Sequence, residues 1–358
     1  MTRAFAALLG VALIAGQATA AGLTNASALS SAYDAILDAD FARVPALLTS
    51  ACGSGWDTPA RPPSGPRLLA PPVACRVMDV VSRWWQLQRD PLDRSGDAEF
   101  ERRATAAIAE VEAWSAAEPS TAEAWFYVGA AYSTRVQWRV LRGQRLAAAR
   151  DGKRIKEALE RALALDPQMQ EAYFGIGLYH YYADVAPTAA KILRWLLLLP
   201  GGDKTRGMQE MLRAREHGAL LRDEADYQLQ LIDLWYEKQP QRALDLLSDL
   251  RRRHPRNPLF PQLIAQVQDV YLHDLAASLR TWRTLLDAAD TRRVAYPDLA
   301  ETRARLGIAS VFERMANTDA AIEQLRAVIA AKPLAPFGAY AQAQRDLARL
   351  QSRSRDSR

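Results

Sequence analysis

The chain has 358 residues, of which 49% are apolar and 24% charged, with 46 Lys and Arg against 41 Asp and Glu. These fractions exclude collagen-like and disordered chains, and two cysteines are too few for a disulfide-stapled miniprotein. The formal charge of +5 is modest, so it favours acidic partners slightly without indicating a nucleic-acid binder. Repeats have to be sought before domains are counted, because repeat proteins grow by adding units.

The first twenty residues have the features of a secretory signal peptide. Arg3 precedes an apolar run over residues 4–16, and Ala18-Thr19-Ala20 supplies the small residues of a cleavage site. The alternative is an uncleaved membrane anchor, but the run is shorter than the roughly 20 residues that a spanning helix needs. We therefore expect cleavage after Ala20 and an exported product, periplasmic or secreted.

Residues 21–50 predict an N-terminal helical hairpin, and a loop rich in Pro and Gly follows over residues 51–74. So many prolines are incompatible with a helix or a central strand. Cys52 and Cys75 bracket the loop, and in an oxidising compartment a disulfide between them would hold it in place. Two unrelated buried thiols are the alternative.

Beyond the loop the chain predicts one helix after another, because apolar residues recur at spacings of three and four and no long stretch alternates with a period of two. The fold class is therefore all-α. Two segments share the spacing W-x2-L-G-x2-Y, namely Trp125, Val128, Gly129 and Tyr132, then Tyr173, Ile176, Gly177 and His180. Three half-repeats end in a proline at the same phase: Pro119, Pro167 and Pro255. Two helices are expected to approach closely at Gly129, Gly177 and Gly307, because glycine has no side chain.

This pattern resembles the tetratricopeptide repeat (TPR) family. The resemblance implies a right-handed superhelical solenoid of antiparallel helix pairs over residues 75–333. Its units are expected at about 75–119, 120–167, 168–221, 222–255, 256–297 and 298–333, with a capping helix over 334–351 and a disordered tail over 352–358. Two units contain long insertions, one with an apolar helix at Ala189 to Leu199. In this they are similar to an exported bacterial type of TPR protein and to a eukaryotic repeat family that is mitochondrial and lipid-associated.

The resemblance also implies that the first helix of each unit lines a concave groove. Its predicted partner-binding residues are Phe126, Tyr127, Phe174, Tyr181, Tyr182, Gln228, Trp235 and Tyr236. Aromatic side chains in a groove are typical anchors for a peptide or protein partner. The alternative is that the insertions fold over this face and turn the aromatic residues into core.

Arg135, Arg139 and Arg142 share one helical face and form a basic stripe. Such a stripe could bind phosphate groups or an acidic partner. The plainer interpretation is a solvated face whose charges pair with nearby carboxylates such as Glu157 and Glu160.

The segment from His180 to Asp184 is the densest cluster of polar and aromatic residues. It could ligate a metal or perform acid-base chemistry, but His180 occupies the packing position that Tyr132 has in the previous unit. The other histidines occur singly: His217, His254 and His273. The motifs of zinc proteases, serine hydrolases, dinucleotide-binding proteins and phosphate-binding loops do not occur. We therefore predict no enzyme, no cofactor and no metal site.

The sequence predicts a non-enzymatic protein-protein interaction scaffold of the cell envelope that binds a peptide or protein in its concave groove. The alternative is a carrier for an anionic or lipid-like ligand in a groove covered by the insertions, and an enzyme that uses His180 ranks below both. We expect neither a nucleic-acid partner nor a transmembrane segment. The identity of the partner, a peripheral association with the envelope and the oligomeric state stay open.

Overall fold

The computed structural model describes residues 22–58, 69–185 and 201–356, with side chains up to residue 353. Within these ranges the regular structure is helical, and strands are absent. The predicted signal peptide and the predicted apolar helix Ala189 to Leu199 lie outside the described residues. None of the described helices combines the length and apolar character needed to cross a membrane.

Fifteen α-helices follow one another along the described chain. The first eight are α1 (Ala26–Leu37), α2 (Val44–Cys52), α3 (Pro72–Gln88), α4 (Asp97–Ala117), α5 (Ala122–Leu141), α6 (Arg145–Leu165), α7 (Gln170–Val185) and α8 (Lys204–His217). The others are α9 (Arg222–Trp235), α10 (Pro240–Arg253), α11 (Leu259–Gln266), α12 (Leu275–Asp290), α13 (Pro297–Arg314), α14 (Thr318–Ala331) and α15 (Ala339–Asp356). A π-helical turn, Val267–Tyr271, extends α11.

Each helix packs on the next one, and the strongest pairs include α5 with α6, α7 with α8, α9 with α10 and α13 with α14. Turns of a few residues join most helices, so neighbours run antiparallel. The result is an all-α, TPR-like solenoid. We call the odd-numbered helices from α1 to α13 the first helices of the pairs and the even-numbered ones the second helices.

The extra residues between Gly129 and Pro167 lengthen a helix pair instead of forming a separate element. Helices α5 and α6 have 20 and 21 residues, whereas α9 and α10 have 14 each. Gly143 lies at the end of the projecting hairpin with a positive φ of 74°, a backbone conformation that suits glycine.

The glycines of the repeat pattern lie where two helices come close. An added Cβ at Gly177 would lie 2.7 Å from the carbonyl oxygen of Gly207 in α8 and 2.9 Å from the backbone nitrogen of Met211. At Gly129 and Gly307 the added atom would meet the side chains of Leu159 and Trp282, respectively. The pattern therefore correctly predicts close helix contacts at all three positions.

The predicted disulfide between Cys52 and Cys75 joins the last residue of α2 to the first turn of α3. Both cysteines are buried, and the amide of Ala70 donates a hydrogen bond of 2.9 Å to the carbonyl of Ala51. The bridge thus fixes both ends of the Pro-rich loop, of which residues 59–68 lie outside the description. Helix α2 extends to Cys52 and α3 begins at Pro72, so the loop is shorter than the predicted range of 51–74.

The N-terminal helices fold back onto the later repeats. Asn257, after α10, donates a hydrogen bond of 2.6 Å to the carbonyl of Leu37 at the end of α1. The rings of Trp85 in α3 and Tyr227 in α9 lie 4.9 Å apart. One large hydrophobic core accordingly extends from Leu23 to Val267, and a separate cluster within this range joins α7, α8 and α9.

The last helices are held by smaller, local clusters. One joins α11, α12 and α13, and another joins α13, α14 and α15. Helix α15 continues to Asp356, which corrects the prediction of a disordered tail from residue 352. The side chain of Arg353, in this additional turn, lies 3.2 Å from Glu313 in α13.

Candidate functional site

The concave side of the first helices surrounds a partly open interior. A cavity of about 100 Å³ lies between Tyr33 of α1, Trp85 of α3, Tyr127 of α5, Phe174 of α7 and Glu224 of α9. Its walls are mostly apolar. The volume is enough for a few water molecules or a small organic group, but not for a folded partner.

Two carboxyl groups lie in the cavity wall. Glu224 accepts a hydrogen bond of 2.6 Å from the hydroxyl of Tyr33 and one of 3.0 Å from the amide of Gln228. Burial raises the pKa of Glu224 despite these bonds. Glu171 accepts a bond of 2.7 Å from the backbone amide of Ala219. No Lys or Arg is found among the described residues that line the cavity, so its wall does not suit an anion.

Unsatisfied donors lie in the same wall. The hydroxyl of Tyr127 and the indole N–H of Trp84 are buried and have no hydrogen-bond partner among the described residues. Burial, with the nearby charges of Glu123 and Glu171, raises the pKa of Tyr127 well above its ordinary value. A buried donor without an acceptor costs about 1–3 kcal/mol, so both groups would gain from a water or a ligand with acceptor atoms.

The predicted groove residues divide into two groups. Phe126, Tyr127 and Phe174 line the cavity, and Gln228 and Tyr181 are also buried. Helices α1 and α3 contribute to closing this face, because the solenoid curls until its start meets α9. The sequence does not reveal that the N-terminal helices close the concave face. The sequence-based alternative was that the insertions cover it.

The second group consists of Tyr182, Trp235 and Tyr236, which we call the edge aromatic surface. Trp235 and Tyr236 are 54% and 40% exposed, and Tyr182 is half-buried. The ring of Tyr236 lies 5.6 Å from that of Tyr182 and 5.9 Å from that of buried Tyr181, both nearly perpendicular. Tyr181 thus supports the two outer tyrosines from below.

The basic stripe is an internal ion-pair network. Arg135 and Arg139 both contact Asp151 of α6 at 2.7 Å, and only 4% of the Asp151 side chain is exposed. Arg142 contacts Asp97 of α4 at 2.7 Å and donates a bond of 2.6 Å to the carbonyl of Pro91. The structure therefore corrects the expectation of a solvated face, because these guanidinium groups join α5 to α6 and to α4.

Glu157 and Glu160, the expected partners of the stripe, pair elsewhere. Glu160 contacts Lys156, and Glu157 contacts Lys153 at 3.9 Å and Arg154 at 3.6 Å. Both carboxylates are about half exposed. These contacts form the solvated face of α6, one helix away from the stripe.

His180 connects α7 to α8. Its Nδ1 lies 2.6 Å from Oε2 of Glu210, and its carbonyl oxygen accepts a bond of 3.1 Å from the amide of Asp203. Asp184 accepts a bond of 3.0 Å from the amide of Lys204. His180 and Asp184 thus contribute to seating α8 on α7, which agrees with the packing interpretation of His180.

Two groupings escaped the sequence analysis. Glu171 and Glu224 meet at the cavity from separate helices, and His254, which the sequence shows as single, lies beside Asp34 and Asp223. Asp34 and Asp223 are 189 residues apart, so no local spacing links them. A sequence signal for either grouping would require knowledge of how far the solenoid curls.

No family model matches the chain, and no curated protein matches it. Among solved structures, the crystal structure of the yeast Tom70 is similar to this chain, with a TM-score of 0.33 and 13% sequence identity. The match covers 78% of this chain and 65% of that chain. The assignment of a solenoid fold is based on the helix pairing described above, and this similarity adds nothing about function.

Proposed function

We propose that the chain is a non-enzymatic interaction scaffold that binds a protein or peptide partner at the edge aromatic surface. The observation that carries this proposal is the exposure of Trp235 and Tyr236, 54% and 40%, at the end of a helix whose other predicted groove residue, Gln228, is buried. Large aromatic side chains that stay exposed are typical anchors of protein interfaces.

The edge aromatic surface is arranged to bind a partner at low entropic cost. The perpendicular contacts among Tyr181, Tyr182 and Tyr236 limit ring motion, and the hydroxyl of Tyr181 bonds to Glu237. Lys238 donates a bond of 2.7 Å to the carbonyl of Trp235, which closes the turn after α9. Because the tyrosine rings are already held by these contacts, their side chains lose little further entropy when a partner binds.

The buried residues have a different role in this proposal. Phe126, Tyr127, Phe174, Tyr181 and Gln228 support the interior, so the partner contacts Tyr182, Trp235 and Tyr236. Arg135, Arg139 and Arg142 are committed to Asp151 and Asp97, and the proposal gives them no part in binding.

The test is affinity capture with the purified chain, identification of the captured protein, and measurement of Kd with that protein purified. Trp235→Ala with Tyr236→Ala should raise Kd by at least 30-fold, because loss of an aromatic anchor costs about 2 kcal/mol or more. Phe337→Ala is the matched control, since Phe337 is 62% exposed on another connection. An unchanged Kd for the folded double variant contradicts the proposal.

We further propose that the protein is exported and acts in the cell envelope, as the exported bacterial type of TPR protein does. The bridge between Cys52 and Cys75 is compatible with an oxidising compartment. Intact mass of the protein from the expressing cells provides the test. Cleavage after Ala20 and two thiols that resist alkylation until reduction are expected, and a retained leader or free thiols would contradict export.

A second candidate function is transport of a small neutral molecule in the cavity. The unsatisfied groups of Tyr127 and Trp84 favour a ligand with an apolar body and acceptor atoms, and the carboxyl groups of Glu171 and Glu224 disfavour an anion. Native mass spectrometry of the purified protein should then show an adduct that Ala130→Leu removes by filling the cavity. Detection of the protein mass alone, without an adduct, under mild activation would contradict this candidate function.

A further inference from the structure

Asp34, Asp223 and His254 come together from three helices that are distant in the chain. One ligand atom from each lies within 4.8 Å of the ligand atoms of the other two. Asp34 lies on α1, Asp223 in the first turn of α9 and His254 immediately after α10. The group therefore forms only when the N-terminal hairpin closes onto the later repeats.

Two of the three side chains are held in place. The imidazole of His254 is 4% exposed, its ring lies 6.1 Å from that of Phe260, and its Nε2 lies 2.6 Å from Oδ2 of Asp223. The other carboxylate oxygen of Asp223 lies 3.1 Å from the guanidinium of Arg253. Arg253 thus orients Asp223 from behind, as outer partners commonly orient ligating carboxylates.

Asp34 has no such structural partner. Its carboxylate is exposed, faces the pair of Asp223 and His254, and makes no hydrogen bond or ion pair with any residue that the structure describes. Within this group the Asp34 carboxylate is repelled by Asp223 and attracted by His254 and Arg253. A dication between Asp34 and Asp223 would attract both carboxylates.

We propose that Asp34, Asp223 and His254 bind one transition-metal dication, with Zn²⁺ as the representative ion. One imidazole nitrogen and two carboxylate oxygens form a donor set that such ions accept, with water completing the coordination on the exposed side of Asp34. Ligand atoms of tetrahedral zinc are roughly 3.4 Å apart. Completing the site therefore requires rotation of the exposed Asp34 side chain and a small separation of His254 from Asp223, which lie 2.6 Å apart. The metal takes the place of the proton between His254 and Asp223.

The metal would act as a clamp. It would join α1 to α9 and α10 at the point where Asn257 already bonds to Leu37, and so it would stabilise the closed form of the solenoid. This role is independent of the edge aromatic surface, and each proposal can fail without the other.

The test uses the disulfide-intact protein after treatment with a chelator. Calorimetric titration with zinc chloride should show one saturable site, and zinc should raise the Tm whereas magnesium should not, because imidazole is a poor ligand for magnesium. Asp34→Asn should weaken zinc binding at least tenfold and abolish the zinc-dependent rise in Tm. Without metal it should change Tm little, because the attraction of His254 and the repulsion of Asp223 act on Asp34 in opposite directions.

His217→Gln is the control for adventitious surface binding. His217 is exposed, and its Nε2 lies 3.8 Å from Glu216, so it is another histidine next to a carboxylate. This variant should bind zinc as the wild type does. Absence of a saturable site, equal binding by wild type and Asp34→Asn, or loss of binding in His217→Gln would each overturn the proposal.

Discussion

The first ten helices and the last five use the same kind of helix pair but are stabilised differently. From α1 to α10 the chain curls until α1 and α3 contact α9, and a large hydrophobic core, which extends into α11, joins helices that are distant in the chain. A smaller cluster within this part joins α7, α8 and α9. From α11 to α15 the core consists of clusters between neighbouring helices. A repeat protein can therefore combine a closed, globular part with an open stack in which each unit depends on its neighbours.

This difference changes the meaning of a position in the repeat. A residue on the concave face of a closed part is core, as Tyr127 and Phe174 are, whereas at the end of a first helix the corresponding residue reaches solvent, as Trp235 does. The repeat register predicts which side a residue faces. It does not predict whether that side stays open.

The largest expected effect compares two buried tryptophans, one in each part. Trp85→Ala and Trp282→Ala should each lower the free energy of unfolding by about 3–5 kcal/mol, because both side chains are at most 5% exposed. The two substitutions should differ in how far along the chain they raise hydrogen exchange. Trp85 contacts Tyr227 across the interior, so hydrogen exchange should rise throughout α1 to α10.

Trp282→Ala should instead raise exchange mainly in α11 to α15, because Trp282 belongs to a local cluster. Hydrogen exchange measured by mass spectrometry resolves these regions. Equal spreading of both effects over the whole chain would remove the distinction between a closed part and an open stack.

The next effect concerns the close contact of α7 with α8. Gly177→Leu should cost about 3 kcal/mol, because the added side chain meets the backbone of Gly207 and Met211, which cannot move aside as a flexible side chain can. Gly152→Ala is the matched control, since an added Cβ there meets nothing within 4 Å and alanine favours the helix. Denaturant midpoints give both values. A tolerated leucine would mean that the two helices are not in contact at Gly177.

The ion pairs between α5 and α6 should give a somewhat smaller effect. Asp151→Ala should cost about 2 kcal/mol, because it leaves Arg135 and Arg139 without their shared partner. This lies below the range for fully buried pairs, since 13% and 18% of the two arginine side chains stay exposed. Chemical denaturation provides the measurement.

Lys153→Ala is the control for this prediction. The Lys153 side chain is 50% exposed and lies 3.9 Å from Glu157, so its loss should change stability by less than about 0.5 kcal/mol. If both variants lose the same small amount, the arginines belong to a solvated face after all.

The sequence predicts what local patterns determine. Apolar spacing and the prolines after second helices place the helices, and Gly129, Gly177 and Gly307 mark close contacts, because each needs only neighbouring segments. Asp203 caps α8, accepting a bond of 2.9 Å from the amide of Arg206, as an Asp before an apolar-periodic segment indicates.

The candidate sites were less accessible to such reasoning. Closure of the interior depends on small rotations that accumulate over five helix pairs, and no residue pattern records their sum. That is why Glu224 and His254 could not be placed beside Tyr33 and Asp34. Asp151 is the exception, because it is the acidic residue nearest to the arginines of the stripe, and its apolar neighbours on α6 could have indicated that it is buried.

The smallest expected effect concerns the pH dependence of the closed part. Burial raises the pKa of Glu224 above that of the unfolded chain, about 4.3, so the folded state binds this proton more tightly. The resulting stabilisation is complete below the unfolded pKa and is lost as pH rises through the folded pKa. Glu224→Gln has no such proton to lose, and its Tm relative to wild type should therefore increase as pH rises above about 4.

Glu216→Gln, at a side chain that is 76% exposed, is the control and should parallel the wild type in Tm measured from pH 4 to 8. A constant difference between Glu224→Gln and wild type across that range would show that Glu224 is solvated and that the interior is open.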